Sequence, residues 1–157
     1  DDIREDGLYD DSIQSEGRTS TNAWCSDDCY NDPVATRVRE RILDLTGLKE
    51  ENSEHFQLLR YEVGQFYEEH HDYIVQQRNL PCGPRILTVF MYLNDVKEGG
   101  ETVFTSLNVT ISPKKGAAVI WPSVLDEDPV EIDERTFHEA KAVEKGVKYG
   151  VNAWLHL

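Results

Sequence analysis

The sequence predicts a mainly β protein with flanking helices, built as two packed antiparallel sheets in jelly-roll style. Three observations carry this. From residue 56 onward, short runs rich in Val, Ile, Tyr, Phe and Thr follow one another. Turn signals at Glu98-Gly99-Gly100, Pro113-Lys114-Lys115-Gly116 and Glu144-Lys145-Gly146 separate them. One amphipathic helical pattern precedes them, and no phosphate loop, heptad or internal repeat competes with that layout.

Residues 1–16 are polar and acidic, with isolated apolar residues at Ile3, Leu8, Tyr9 and Ile13, and read as an edge segment or a loosely held arm. Gly17 to Cys25 has the polar, β-branched look of a strand or loop, within which Trp24 reads either as a wall of a peptide groove or as a packed core residue. Asp32-Pro33 opens a helix, because Asp caps free amides and Pro is tolerated at the first helical position. Val34, Val38, Ile42 and Leu45 recur at helical spacing until Gly47 ends the run, which predicts a helix covering a sheet. The predicted strands are then Phe56 to Val63, a strand carrying His70, Arg85 to Asn94, Thr102 to Phe104, Val109 to Ile111, Ala117 to Trp121, Arg135 to Ala140 and Val147 to Leu157.

A chain of 157 residues has room for one domain with one core, here residues 1–157. Three Trp, seven Tyr and five Phe in a 39% hydrophobic composition argue against disorder. A net charge of −14 disfavours nucleic acid, whose backbone is bound through Lys and Arg. Much of the acidic excess lies before residue 55, and a second acidic run spans Asp126 to Glu134; both read as solvated faces or as a track for a basic polypeptide. No run reaches the ~18 apolar residues of a membrane span, so no membrane contact is expected of this fragment. Beginning with Asp rather than Met, the chain reads as a trimmed catalytic piece. Cys25 and Cys29 fit either a disulfide across a turn or free thiols, with Cys82 left over. No second Cys/His pair has zinc-finger spacing.

The chemistry centres on Tyr61-Glu62-Val63-Gly64-Gln65-Phe66-Tyr67-Glu68-Glu69-His70-His71-Asp72. On an extended strand residues two apart point the same way, so His70 and Asp72 converge while His71 points away. An isolated His-x-Asp is more often a hydrogen-bonded surface pair. Joined by His138, it becomes the two-histidine, one-carboxylate set that holds ferrous iron and leaves positions open for oxygen and a cosubstrate. Lys148 follows His138 by ten positions; a lone lysine on an edge strand reads as solvated, whereas one in a semi-enclosed pocket supplies a cation for a bound carboxylate. Alternation puts Thr88, Phe90 and Tyr92 on one face of their strand, and Lys148, Gly150, Asn152, Trp154 and His156 on one face of the last. His55 lies in a polar turn and is not taken as a ligand. Asn108-Val109-Thr110 matches a glycosylation acceptor but reads as a chance match in a strand.

These segments, in this order, resemble the prolyl 4-hydroxylases of the iron(II) and 2-oxoglutarate dependent dioxygenases. The likeness runs from about Arg18 to the C-terminus, through the His70 segment, Gly83-Pro84-Arg85 to Val96, Gly99-Gly100-Glu101-Thr102-Val103-Phe104, Pro113 to Trp121, and His138 with Lys148. It implies a double-stranded β-helix core, iron(II) on His70, Asp72 and His138, and 2-oxoglutarate gripped by Lys148 with Tyr61, Tyr92 and Thr102. Trp154 would wall the site nearer the iron. Tyr67, Arg85, His156 and Trp24 would face a proline-containing peptide, under lids at Tyr73 to Pro84 and Ser123 to Phe137. The implied reaction is O2-dependent hydroxylation of peptidyl proline at C4, giving succinate and CO2, with ascorbate as reductant and the secretory pathway, endoplasmic reticulum or Golgi, as location. Two other readings stay open: oxidation of another residue or a free amino acid, and an inactive module that binds proline-rich peptides. The short Phe104 to Pro113 region and the acidic Val124 to Glu134 insert depart from the family pattern and bear on lid shape and substrate choice.

Overall fold

The structure is a computed structural model that describes residues 16–157. The expected arm at 1–16 therefore lies, except for Glu16, outside the described residues. The elements run β1 (Thr21–Trp24), α1 (Asp27–Asn31), α2 (Pro33–Thr46), β2 (Gln57–Tyr61), β3 (Tyr67–His70), β4 (Arg85–Tyr92), β5 (Glu98–Gly99), β6 (Thr102–Phe104), β7 (Val109–Ile111), β8 (Ala118–Pro122), β9 (His138–Ala140), β10 (Val143–Lys145) and β11 (Lys148–His156). Short 3-10 turns lie at Glu50–Asn52, Val75–Asn79 and Glu134–Thr136. None of the described helices is long and apolar enough to cross a membrane.

The local signals place α2 as expected. Asp32 Oδ1 accepts the Val34 N–H at 2.7 Å, Pro33 occupies the first turn, and Gly47 ends the helix at φ 71° with its N–H donating to Leu43 O. Two antiparallel sheets follow, one ordered β1-β2-β11-β4-β8 and the other β3-β9-β6-β7. Alternation on the long strands divides the core into two layers. Val89, Val151, Ala153 and Leu155 face the helix side with Ile42, Phe56 and Cys25. Leu59, Tyr61, Phe90 and Tyr92 face the opposite sheet with Phe104, Trp121 and Val143. Cys25 and Cys29 form a disulfide beneath α2, and Cys82 is free and exposed.

The structure corrects several expectations. Glu98-Gly99 and Glu144-Lys145, read as parts of turns, belong with Val143 to a two-stranded ladder of their own, β5 with β10. Gly99 is required there by proximity rather than by a hairpin turn, because a Cβ on it would overlap the carbonyl oxygen of Ala142. Arg135 and Thr136, read as the start of a strand, belong to a 3-10 turn over Glu134–Thr136, and residues 27–31 form a short helix that was not anticipated. Asn108 sits in a turn at φ 54° before β7 rather than in a strand. The two candidate lids are tied together: Arg78 pairs with Glu131 at 2.8 Å, and the Tyr73 hydroxyl donates to Val130 O at 2.7 Å.

Candidate active site

β3 and β9 are antiparallel neighbours whose register sets His70 directly opposite His138. Residues far apart in sequence thus become a cross-strand pair, with ring centroids 4.3 Å apart. Asp72 is not on the strand, as the spacing argument had it; β3 ends at His70 and the chain bends. The carboxylate nonetheless returns to the pair, with Oδ1 4.0 Å from His70 Nε2 and Oδ2 3.8 Å from His138 Nε2. One donor atom from each of His70, Asp72 and His138 lies within 4.8 Å of the other two.

Surrounding contacts aim these donors. His70 Nδ1 is 2.7 Å from Glu68 O, and His138 Nδ1 is 2.9 Å from Thr136 O. Each Nδ1–H therefore donates to a backbone carbonyl two residues upstream, which leaves each Nε2 lone pair free to face Asp72. Thr88 Oγ1, fully buried on β4, donates to Asp72 Oδ2 at 2.6 Å. Burial by itself would raise the Asp72 carboxyl, but the two imidazoles and Thr88 reverse this and hold it below the usual carboxylate range. Burial, reinforced by His138, pushes His70 down to about 4. At neutral pH His70 and Asp72 are thus a neutral imidazole and an ionised carboxylate, the protonation states a divalent cation takes. Thr88→Val, which keeps the volume and removes the hydrogen bond, is expected to weaken iron binding roughly 10- to 100-fold. Anaerobic iron titration checks this.

The same cavity runs from the donor cluster to Lys148. Lys148 is 1% exposed, its ammonium has no hydrogen-bond partner among the described residues, and it lies 5.2 Å from the ring centroids of Tyr61 and Phe90 and 5.6 Å from that of Tyr92. Burial brings it down to about 8, against the opposing pull of Glu101. A buried cation held only by aromatic faces is a costly arrangement unless an anion joins it. The cavity thus offers a divalent-cation donor set at one end and an unpaired ammonium at the other, which fits an iron-chelated keto diacid. Tyr61 and Thr102 line it. Tyr92 does not; its hydroxyl donates to Thr102 Oγ1 at 2.7 Å and so orients the threonine from behind. Phe90 and Asn152, which alternation put on the faces of Tyr92 and Lys148, also line the cavity, as do Leu59 and Trp121, which were not singled out from the sequence. Gly150 keeps it open, since a Cβ there would stand 2.5 Å from the Phe90 ring.

Trp154, expected to wall the site nearer the iron, is not among the residues lining that cavity. It pairs across the sheet with Thr88, whose hydroxyl holds Asp72, and lies under the Arg85 guanidinium at 3.6 Å. Trp24, 41% exposed, is 5.9 Å from it. Tyr67 lines the cavity mouth, stacked on His70 at 3.6 Å with the Arg18 guanidinium 4.8 Å from its ring centroid. Arg85 and His156 meet on a residue that sequence reasoning missed: Glu54 accepts both arms of Arg85, at 2.5 and 2.9 Å, and lies 2.9 Å from His156 Nε2. His156 Nδ1 faces Gly83 O at 2.9 Å, so both ring nitrogens meet acceptors. Although burial opposes the charge, Glu54 and Gly83 raise the imidazole above its ordinary value. Arg18 was marked only as the residue near which the family likeness begins, and Glu54 carried no local signal. His71 faces Thr136, away from the donor cluster, and His55 stacks on Tyr30.

A jelly roll holding two imidazoles and one carboxylate on one side of a cavity defines the class of mononuclear non-haem iron oxygenases. The sequence pattern described as the 2OG-Fe(II) oxygenase superfamily matches residues 56–156, and this chain belongs to that family. It is 41% identical to prolyl 4-hydroxylase subunit alpha-1 of Rattus norvegicus over 88% of this chain and 26% of that protein. It is 36% identical to probable prolyl 4-hydroxylase 8 of Arabidopsis thaliana over 93% of this chain and 56% of that one. The chain thus spans about a quarter of the length of the alpha subunits it matches. Among solved structures, viral collagen prolyl hydroxylase from Paramecium Bursaria Chlorella virus-1, in its 2OG complex, aligns at TM-score 0.70 and 28% identity, over 89% of this chain and 80% of that one. A Trichoplax adhaerens prolyl hydroxylase, solved with a hypoxia inducible factor peptide fragment, shares the fold at TM-score 0.63 and 19% identity, covering 97% and 67% of the two chains.

Proposed function

We propose that residues 1–157 form one catalytic domain that hydroxylates peptidyl proline at C4, using O2 and 2-oxoglutarate and releasing succinate and CO2. The observation that carries this is the single cavity joining the His70, Asp72 and His138 donors to the unpaired ammonium of Lys148. Iron(II) with 2-oxoglutarate and O2 supplies the oxidising chemistry when bound; the chain itself binds, orients and excludes water. Lys148 neutralises the far carboxylate, while Thr102, oriented by Tyr92, and Tyr61 supply hydroxyls along the diacid. Tyr67 covers His70 and narrows the mouth. Arg85, His156, Trp24 and Trp154 form one connected cluster next to the metal end, with Trp24 exposed and Trp154 and His156 buried beneath it. There the ring of a proline meets the Trp24 face, and the Arg85 guanidinium, held in place by Glu54, is the cation nearest its flanking carbonyls.

The relatives named as prolyl 4-hydroxylases support this substrate class. The Cys25–Cys29 disulfide and the eukaryotic origin of those relatives support a place in the secretory pathway. Ascorbate would serve as the reductant that restores ferrous iron. Incubation with proline-rich peptides is expected to give succinate in step with a peptide mass gain of one oxygen atom. Succinate without peptide oxidation would move the assignment to another substrate, and neither product, with iron bound, would reduce the protein to a binding module.

A further inference from the structure

The β3–β9 ladder ends at the ligands themselves: β3 stops at His70 and β9 starts at His138. Beyond that point, among the described residues, no sheet hydrogen bond fixes Asp72 against the segment leading into His138. What spans the two is the side chain of His71, the residue between two of the donors. Its Nδ1 accepts the Tyr73 N–H at 3.0 Å, so the ring hydrogen sits on Nε2. Nε2–H then faces Thr136 Oγ1 at 2.9 Å and Asp133 O at 3.1 Å. Thr136 Oγ1 passes its own hydrogen to Asp133 O at 3.0 Å, and the Thr136 carbonyl receives His138 Nδ1–H at 2.9 Å. The Phe137 ring packs edge-on to His71 at 5.0 Å.

We propose that His71, through Thr136, is a positioning residue that locks the His70–Asp72 half of the metal site to the His138 half, and that metal affinity depends on this link. The inference rests on the metal-site reading and adds to it a residue that is not itself a ligand. A metal site tolerates donor displacements of only about 0.2 Å, and two strand ends fray unless something joins them. Thr88 holds the Asp72 carboxylate from β4, and the Tyr73 hydroxyl reaches Val130 farther out, but among the described residues the His71–Thr136 bond joins the two donor-bearing segments closest to the ligands.

The test is titration of Co(II) alone into the full chain, read by its visible absorption, with melting of the metal-free protein recorded alongside. His71→Leu and Thr136→Val are each expected to weaken Co(II) roughly 10- to 100-fold. The double variant is expected to be no worse than the weaker single, because both remove one link. His71→Gln, whose amide can still donate to Thr136, is expected to recover most of the affinity. A purely structural histidine would lower the melting temperature and leave Co(II) affinity unchanged. That outcome, or fully additive singles, would overturn the proposal. If His71→Leu fails to fold, the shape-conserving Thr136→Val decides alone. Wild-type protein that takes up no Co(II) would overturn the metal reading and this proposal with it; tight wild-type binding matched by both singles overturns this proposal only.

Discussion

Lys148→Met is expected to make the ligand-free protein more stable while nearly abolishing its hold on 2-oxoglutarate. The ammonium is buried without a partner, and burial brings it from 10.5 down to about 8. Because the folded value lies below the unfolded one, the folded chain binds the proton less well. The cost is felt in full below about pH 8 and is relieved as pH rises from there toward 10.5. At neutral pH it is on the order of 3 kcal/mol. Methionine keeps an unbranched chain and removes the charge. The melting temperature of the variant should exceed that of the wild type at pH 7, with the gap closing by pH 10. Loss of the charged partner should weaken 2-oxoglutarate on the order of 10²- to 10³-fold, from the roughly 3–5 kcal/mol cost of breaking a buried pair. Melting curves at the two pH values and a cosubstrate titration check both halves. A variant that melts lower at pH 7 and binds 2-oxoglutarate normally would remove Lys148 from the site. Arg is not an equivalent replacement, since its planar fork does not fit where a point charge is ringed by Tyr61, Phe90 and Tyr92.

The second large effect is at Asp72. Asp72→Asn keeps the shape and an acceptor for Thr88 but leaves the two imidazoles facing a divalent cation without a counter-charge. Iron affinity is expected to fall by more than the roughly 10- to 100-fold that follows loss of an outer hydrogen-bonding partner, and peptide hydroxylation should fall with it. The stabilisation that saturating metal gives the wild type, about 2.7 kcal/mol at a hundredfold excess over Kd, should vanish from the melting curve. Retained metal-dependent stabilisation would mean the donors lie elsewhere. Acid should act through the same set: His70 is held neutral down to about 4, so as pH falls through that value its lone pair is taken by a proton and the metal is released.

Much of the fold was legible because its signals are local. Asp32-Pro33 and Gly47 bound α2 within the chain itself, and strict alternation along β4 and β11 sorts Thr88 and Phe90 from Val89, and Lys148 and Asn152 from Val151 and Ala153. Gly99 shows the opposite case. A glycine in sequence signals a turn, but this one is there because another strand passes too close for a side chain, and nothing nearby in sequence records which strand. Trp154 shows how far alternation reaches: it gives the face, not the position along it, and the cross-strand partner Thr88 decides which end of the site the indole serves.

The sequence by itself determined the donor types, their order, the lysine that follows them and the strand periodicity, because residue chemistry and a repeat of two are carried by neighbouring residues. Only the tertiary structure decided that His70 faces His138, that Asp72 swings back from beyond the strand end onto Thr88, and that Glu54 gathers Arg85 and His156. It also decided that His71, excluded as a ligand, bridges to Thr136. Each of these depends on register between strands distant in sequence. Register is set by how whole faces pack against one another, and a one-residue slip would reverse every side chain without altering a single local signal.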